Sequence, residues 1–222
     1  MNVADVKVDF LGHAGFLFRF KGRNIAIDPY RVSDNVSKAD IILITHGHSD
    51  HCSIKDVQKI AKTGALVFCP VDCQSSLLKI KGITLNIVEI GDIIDLGFAR
   101  VECVHAYTLI NARHSKQEGW LGYVVKMGNT IFYFAGDTDH IPEMQKLSGY
   151  GKRENNFVVF LPVAGDVVMD AKAAADAASR LNPTMAIPMS YGAGLYGTER
   201  DAQLFVELCR QSGINAEILS KI

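Results

Sequence analysis

The chain has 222 residues, 48% hydrophobic and 21% charged, with a formal net charge of −1. That size and balance fit a compact globular unit, and we treat residues 1–222 as a single domain. Near-neutral charge gives no general pull toward nucleic acid or an anionic membrane, and no apolar run approaches the ~20 residues that span a bilayer. The N-terminal Met1-Asn2-Val3-Ala4-Asp5 has no basic segment followed by an apolar one, so the expected location is cytoplasmic. Five cysteines, Cys52, Cys69, Cys73, Cys103 and Cys209, form no regular framework and read as reduced, buried thiols. Cys69 and Cys73 could form a redox pair or half a zinc site, but no second pair completes one. Cys52, next to His51, could line a pocket or offer a thiolate.

In chain order, Val6–Phe10 and Phe16–Phe20 alternate around Gly12-His13-Ala14-Gly15, and Asn24–Ile27 follows a turn at Gly22-Arg23. Three short strands at hairpin spacing are expected, the third ended by Asp28-Pro29. Ile41–Ile44 is an uninterrupted apolar run, the mark of a strand buried on both faces. Ser53 is the expected N-cap of a helix over 54–62, with Val57, Ile60 and Ala61 inward and Gly64 closing it. A strand over Ala65–Cys69, a helix over Asp72–Lys79, and strands over Thr84–Ile90 and Ala99–His105 complete the first half.

The second half repeats the plan. Trp120–Met127 and Thr130–Phe134 form a hairpin across Gly128-Asn129, and Phe157–Leu161 is a second fully apolar strand. A helix over Ala171–Leu181 capped near Asp170, a strand over Met185–Pro188 and a helix over Asp201–Gln211 close the chain. Strand blocks followed by helices predict an α+β fold: a sheet-on-sheet core with helices outside and a seam near residue 100.

Directly after the first apolar strand stands Thr45-His46-Gly47-His48-Ser49-Asp50-His51. Three imidazoles and a carboxylate in six positions are the donors that zinc and its transition-metal neighbours take from proteins. His46 and His48 can face one ion, while Asp50 and His51 can reach a second. Paired ions would need a bridging carboxylate. Asp137, in Phe134-Ala135-Gly136-Asp137-Thr138-Asp139, stands just past a strand with a glycine before it for close approach. A third histidine for the first ion is either His105 or His114.

The H-x-H-x-D-H run resembles the signature of the metallo-β-lactamase superfamily. Further segments carry the likeness: Gly12-His13-Ala14-Gly15-Phe16, Ile27-Asp28-Pro29, Gly136-Asp137-Thr138-Asp139 and Leu161-Pro162-Val163-Ala164-Gly165. Tyr107, His114, Lys116 and Gly122-Tyr123 are similar to an A-Y-N…H-x-K…G-Y pattern of the branch that includes an ascorbate-6-phosphate lactonase. The resemblance implies a four-layer αββα sandwich of two pseudo-symmetric halves. It implies His46, His48, Asp50, His51, His114 and Asp137 as metal ligands, His114 rather than His105 among them. Asp28 is expected to hold the histidine loop by hydrogen bonds, with a simple strand-end turn role the alternative. His13 is expected to be a structural turn residue, with approach to the pocket the alternative. Zn2+ is the expected cofactor, one or two ions, with Mn2+ or Fe2+ as alternatives.

One position departs from the pattern. The branch closes on I-P-M-H-Y-G, whereas this chain reads Ile187-Pro188-Met189-Ser190-Tyr191-Gly192. Serine stands where a histidine would complete the second site, with His140 and Asp166 the nearest sequence candidates to fill the gap. The expected activity is metal-assisted hydrolysis of a small ester, lactone or phosphodiester, with Asp50 exchanging protons. The competing expectations are a degenerate metal-binding protein and, less favoured by the charge, a nuclease. A di-iron oxidoreductase would need a flavin domain or partner that the sequence does not show. Trp120, Tyr107 and Tyr191 are candidate pocket walls, with core packing the alternative.

Overall fold

The protein is described here from a computed structural model over residues 1–110, 112–152 and 155–222. The opening strands β1 (Asn2–Val3), β2 (Val6–Gly12), β3 (Gly15–Phe20) and β4 (Arg23–Ile27) run antiparallel. Beyond them β5 (Ala39–Leu43), β6 (Ala61–Cys69) and β7 (Ile83–Ile87) add in parallel, completing a seven-stranded sheet in sequence order. The second sheet follows the same plan. Strands β8 (Ile93–Asp95), β9 (Arg100–His105), β10 (Leu121–Met127) and β11 (Thr130–Phe134) are antiparallel. Parallel β12 (Asn156–Pro162) and β13 (Met185–Met189) then join to make six strands.

Side-chain alternation explains why the sheets stack. On β3, Phe16, Phe18 and Phe20 point between the sheets while Leu17 points outward, and Ile41 and Leu43 oppose Ile42 and Ile44 on either side of β5. Phe16 meets Phe160 at 4.6 Å and Phe18 meets Phe132 at 5.0 Å between ring centroids, so the two sheets lock through aromatic edges. The outer face of the first sheet is covered by α1 (Ile54–Ile60) and the single turn α2 (Gln74–Leu77), through Val57, Ile60 and Leu77. The second sheet is covered by α3 (Ala171–Leu181) and α4 (Glu199–Gln211), whose alanines, Phe205 and Cys209 join the main core. The result is the expected αββα sandwich.

Several boundaries differ from expectation for local reasons. Helix α1 stops at Ile60 because Ala61 is extended, at ψ 135°, and pairs with Ala39, so Ala61, Lys62 and Gly64 belong to β6. The helix expected over 72–79 is a 3-10 turn (Val71–Cys73) followed by α2, since only Cys73 and Leu77 reach the core while Leu78 is exposed. Helix α4 begins two residues early because Thr198 and Asp201 form a reciprocal capping box. The short edge strand β8, pairing with Arg100–Glu102, lay outside the expected elements. All five cysteines are buried and free; Cys52, Cys69 and Cys73 lie together in the layer between the first sheet and α1. There the neighbouring thiols Cys52 and Cys69, with burial, push the Cys73 thiol far above its ordinary value. No helix among the described residues is long and apolar enough to cross a membrane.

Candidate metal centre

The histidine loop leaves β5 at the rim where the sheets meet, and three groups fix it there. Leu121 N–H donates to Thr45 O at 3.0 Å and the Tyr123 hydroxyl to Ile44 O at 2.6 Å, tying the strand exit to β10. Buried Asp28, just past β4, accepts from Thr45 N–H at 2.9 Å and from the Thr45 hydroxyl at 2.6 Å. Its Oδ2 also lies 2.8 Å from His51 Nδ1. On the opposite side, Asp72 accepts from Gly47 N–H at 2.9 Å and from Trp120 Nε1–H at 2.8 Å. A Cβ at position 47 would sit 2.6 Å from Asp72 Oδ2, so only glycine lets the carboxylate reach this turn.

These contacts fix ring tautomers. His51 directs one nitrogen at the Asp28 carboxylate, so Nδ1 carries a proton and Nε2 is the nitrogen that faces the site. The Thr45 hydroxyl gives its proton to Asp28 and stands 2.9 Å from His46 Nδ1, which therefore donates and leaves Nε2 as the acceptor. Trp120 backs the cluster, its ring 4.6 Å from His46, 4.8 Å from His48 and 5.3 Å from His114.

Asp137 enters from the end of β11. Gly136 before it has φ +68°, and a Cβ there would lie 2.6 Å from Leu121 O, so the residue type is dictated by close approach. Asp137 Oδ2 lies 3.2 Å from His114 Nε2, 3.4 Å from His51 Nε2 and 3.9 Å from His46 Nε2. The donor atoms of His46, His48 and His114 fall within 4.8 Å of one another, as do those of His46, His51 and Asp137. The arrangement brings the six sequence-identified donors to one place. His105 is not among them: it ends β9, its ring edge against Tyr107, beside a separate cavity that also holds Glu143.

Electrostatics match a cation-binding cluster. Burial, aided by the other imidazoles, holds His46 and His48 below the ordinary histidine range. Burial would raise the carboxyls of Asp137 and Asp50, yet the surrounding histidines outweigh it and hold both low, so both are ionised. Burial likewise acts to lower His51, but Asp137 and Asp28 outweigh it and raise it. Asp28 itself is raised by complete burial. The test of fit is in the orphaned atoms. Among the described residues, His51 Nε2 and both ring nitrogens of His114 are buried without a hydrogen-bond partner. Buried polar atoms are rarely left so, and a divalent cation satisfies nitrogens that face one another and a carboxylate. The donors present fit such an ion.

The site opens into a cleft of about 240 Å3 whose walls include Tyr30, Arg113, Val167, Leu195 and Tyr196. The expected aromatic walls lie elsewhere. Trp120 packs behind the imidazoles, Tyr107 donates to Glu143 at 3.0 Å, and Tyr191 stacks on Phe10. The candidates for the gap left by Ser190 do not reach it either: His140 pairs with Asp176 at 3.3 Å and Asp166 is exposed. Cys52 turns away into the layer beneath α1 and is not among the donors. Ser190 is buried, its hydroxyl 3.4 Å from Asp137 Oδ1. Sequence reading missed Asp72 altogether, because a carboxylate 25 residues from the glycine it serves carries no local signal.

Comparison with known proteins agrees with this geometry. Residues 7–190 match the family described as the beta-lactamase superfamily domain. UPF0173 metal-dependent hydrolases of Thermoplasma acidophilum and Pyrococcus furiosus are 32% and 35% identical over 197 and 203 residues, each match covering 84% of both chains. A solved structure from Parabacteroides distasonis, described as a candidate metal-dependent hydrolase, is 28% identical. It aligns with a TM-score of 0.80 over 97% of this chain and 94% of that one. The chain belongs to the beta-lactamase superfamily domain family.

Proposed function

We propose that the protein is a metal-dependent hydrolase of a small ester, lactone or phosphodiester. In this reading His46, His48 and His114 hold a first cation, Asp50 and His51 contribute to a second, and Asp137 is shared. The observation that carries it is the convergence of His46, His51 and His114 on the Asp137 carboxylate, with His48 beside them and with buried ring nitrogens that have no hydrogen-bond partner among the described residues. Zn2+ is the first choice for such a nitrogen-and-oxygen set, and Mn2+ or Fe2+ accept the same donors. When bound, such a cation supplies Lewis acidity and brings the pKa of a water down toward ~7.

The chain's own groups do the rest. Asp28 and Thr45 set the ring tautomers, so the imidazoles need not reorganise to present lone pairs. Asp50 is ionised, partly exposed and on the cleft wall, where it can take a proton from the attacking water and return it to the leaving group. Arg113 donates to the Tyr196 hydroxyl at 2.9 Å, and apolar Val167 and Leu195 line the same cleft. That pairing suits a substrate with one anionic and one apolar end. A cleft of about 240 Å3 favours a small molecule over a polymer. Five buried free thiols suit a reducing, cytoplasmic setting.

The test measures bound metal per chain, then hydrolysis of bis(p-nitrophenyl) phosphate and a simple lactone before and after chelation. Hydrolysis that disappears with the metal and returns on adding it supports the reading. A chain that takes up no zinc, manganese or iron sinks it. The buried serine at 190 supports one competing reading, a metal-binding protein without turnover. Metal uptake without hydrolysis, with activity appearing only in Ser190→His, would establish that alternative.

A further inference from the structure

Beside Asp50 and His51 stands a histidine from a different part of the chain. His13 Nε2 lies 3.0 Å from Asp50 Oδ2, and the donor atoms of His13, Asp50 and His51 all fall within 4.8 Å of one another. Two ligands of one zinc-sized ion, bonded at ~2.0–2.2 Å with angles between 90° and tetrahedral, stand roughly 3–3.5 Å apart. The His13–Asp50 separation lies in that range, and His51 Nε2 is 3.7 Å from the same oxygen. The His13 ring is also set edge-on to His51, with centroids 5.5 Å apart.

The backbone shows why this histidine can serve where Ser190 cannot. Ser190 N–H donates to His13 O at 2.9 Å, and His13 and Tyr191 form an antiparallel bridge. Positions 13 and 190 are therefore direct neighbours on the same rim. The short serine side chain reaches Asp137 with its hydroxyl, and the His13 imidazole comes to the neighbouring position from the turn between β2 and β3. Turn geometry does not account for a histidine there. His13 has φ +56°, a conformation that glycine or asparagine adopts at lower cost, yet its ring is buried and aimed at a carboxylate. A strained residue at a site is retained where the surroundings hold it for a purpose.

We propose that His13 is the fourth donor of the second cation, beside Asp50, His51 and shared Asp137, in place of the histidine absent at 190. This rests on the metal-dependent reading above. The centre would then hold two divalent transition ions, with the imidazole at position 13 standing in for one at position 190.

The test titrates metal-free protein with zinc by calorimetry and with cobalt by visible absorption. The proteins are wild type, His13→Asn, His13→Ala and the double variant His13→Ala/Ser190→His. Asparagine tolerates the positive φ, so His13→Asn separates lost ligation from lost folding. X-ray absorption on zinc-loaded wild type counts the imidazole donors without any substitution. The expected result is two ions per wild-type chain and one tight ion in both single variants. Their second affinity falls at least about tenfold, and the double variant regains two ions. An orienting partner can cost about 10–100-fold as well, so the imidazole count from X-ray absorption and the regain in the double variant separate ligation from orientation. Two ions at unchanged affinity in His13→Asn overturn the proposal, as does a wild type that binds only one. A wild type that binds none overturns the metal reading itself, so the two failures are distinguishable.

Discussion

The two halves share one plan and use it differently. In each, an antiparallel meander ends in an aspartate, Asp28 after β4 and Asp137 after β11, and parallel strands follow. Asp28 is wholly buried and spends its oxygens on Thr45 and His51, holding the histidine loop from behind. Asp137 retains slight exposure and turns its oxygens toward His51, His114 and Ser190. The loop after β5 carries three histidines and an aspartate, whereas the corresponding exit of β12 carries Val163-Ala164-Gly165-Asp166. The same strand-end position thus supplies a scaffold carboxylate in one half and a candidate ligand in the other. What separates them is which neighbour fills the space in front: a backbone N–H and a hydroxyl, or open imidazole nitrogens.

Substitutions can break that contrast. The largest effect is expected at Asp137→Ala, which leaves the imidazoles without their common carboxylate; metal-dependent hydrolysis should fall by more than about 100-fold with the fold retained. A hydrolysis assay with added metal and far-UV circular dichroism on the same sample check both halves of the statement. Asp28→Asn removes a charge from behind the loop and should weaken metal affinity by about 10–100-fold. It should also cost folding stability, because the substituted amide brings an N–H to a pocket arranged around an acceptor. Equal behaviour of the two variants in both affinity and thermal midpoint would end the distinction drawn between the halves.

Smaller effects sharpen the contrast. Asp72→Ala releases the Gly47 N–H and the Trp120 indole together, and is expected to cost about 0.5–1.5 kcal/mol of stability in urea unfolding, since water can reach the exposed Gly47 N–H. The smallest effect concerns the strap that carries His114. Lys116 bonds Glu143 at 2.6 Å and the Tyr107 hydroxyl donates to the same carboxylate. Burial would raise Glu143, but these partners outweigh it and lower it from the ordinary 4.5 to about 2. Because the folded value is depressed, the contribution is present above about pH 4.5 and is lost as pH falls toward about 2. The thermal midpoint of Glu143→Gln should therefore lie slightly below wild type at neutral pH, by no more than about 1 kcal/mol of stability. The gap should close between pH 4.5 and 2, and a gap that widened on acidification would refute the assignment.

Residue order disclosed much of this in advance. The apolar run Ile41–Ile44 announced a strand buried on both faces, and that is what β5 is, with Ile42 and Ile44 toward α1 and Ile41 and Leu43 toward the second sheet. The caps Ser53 and Asp170 marked α1 and α3 at their first residues. Lys62 was assigned to a helix because its local pattern is helical, whereas pairing of Ala61 with Ala39, 22 positions away, drew the segment into β6. His114 was separable from His105 only through family likeness, since both precede the same strand and spacing alone treats them alike.

By itself the sequence determined the layers, the donor types and their clustering after β5, because periodicity and local density of imidazoles are properties of neighbours along the chain. Tertiary structure decided which aspartate supports and which faces the site, that Asp72 braces Gly47, and that His13 stands beside the place Ser190 leaves empty. Those are relations between residues 17 to 177 positions apart, created only when strand ends from both sheets meet at one rim.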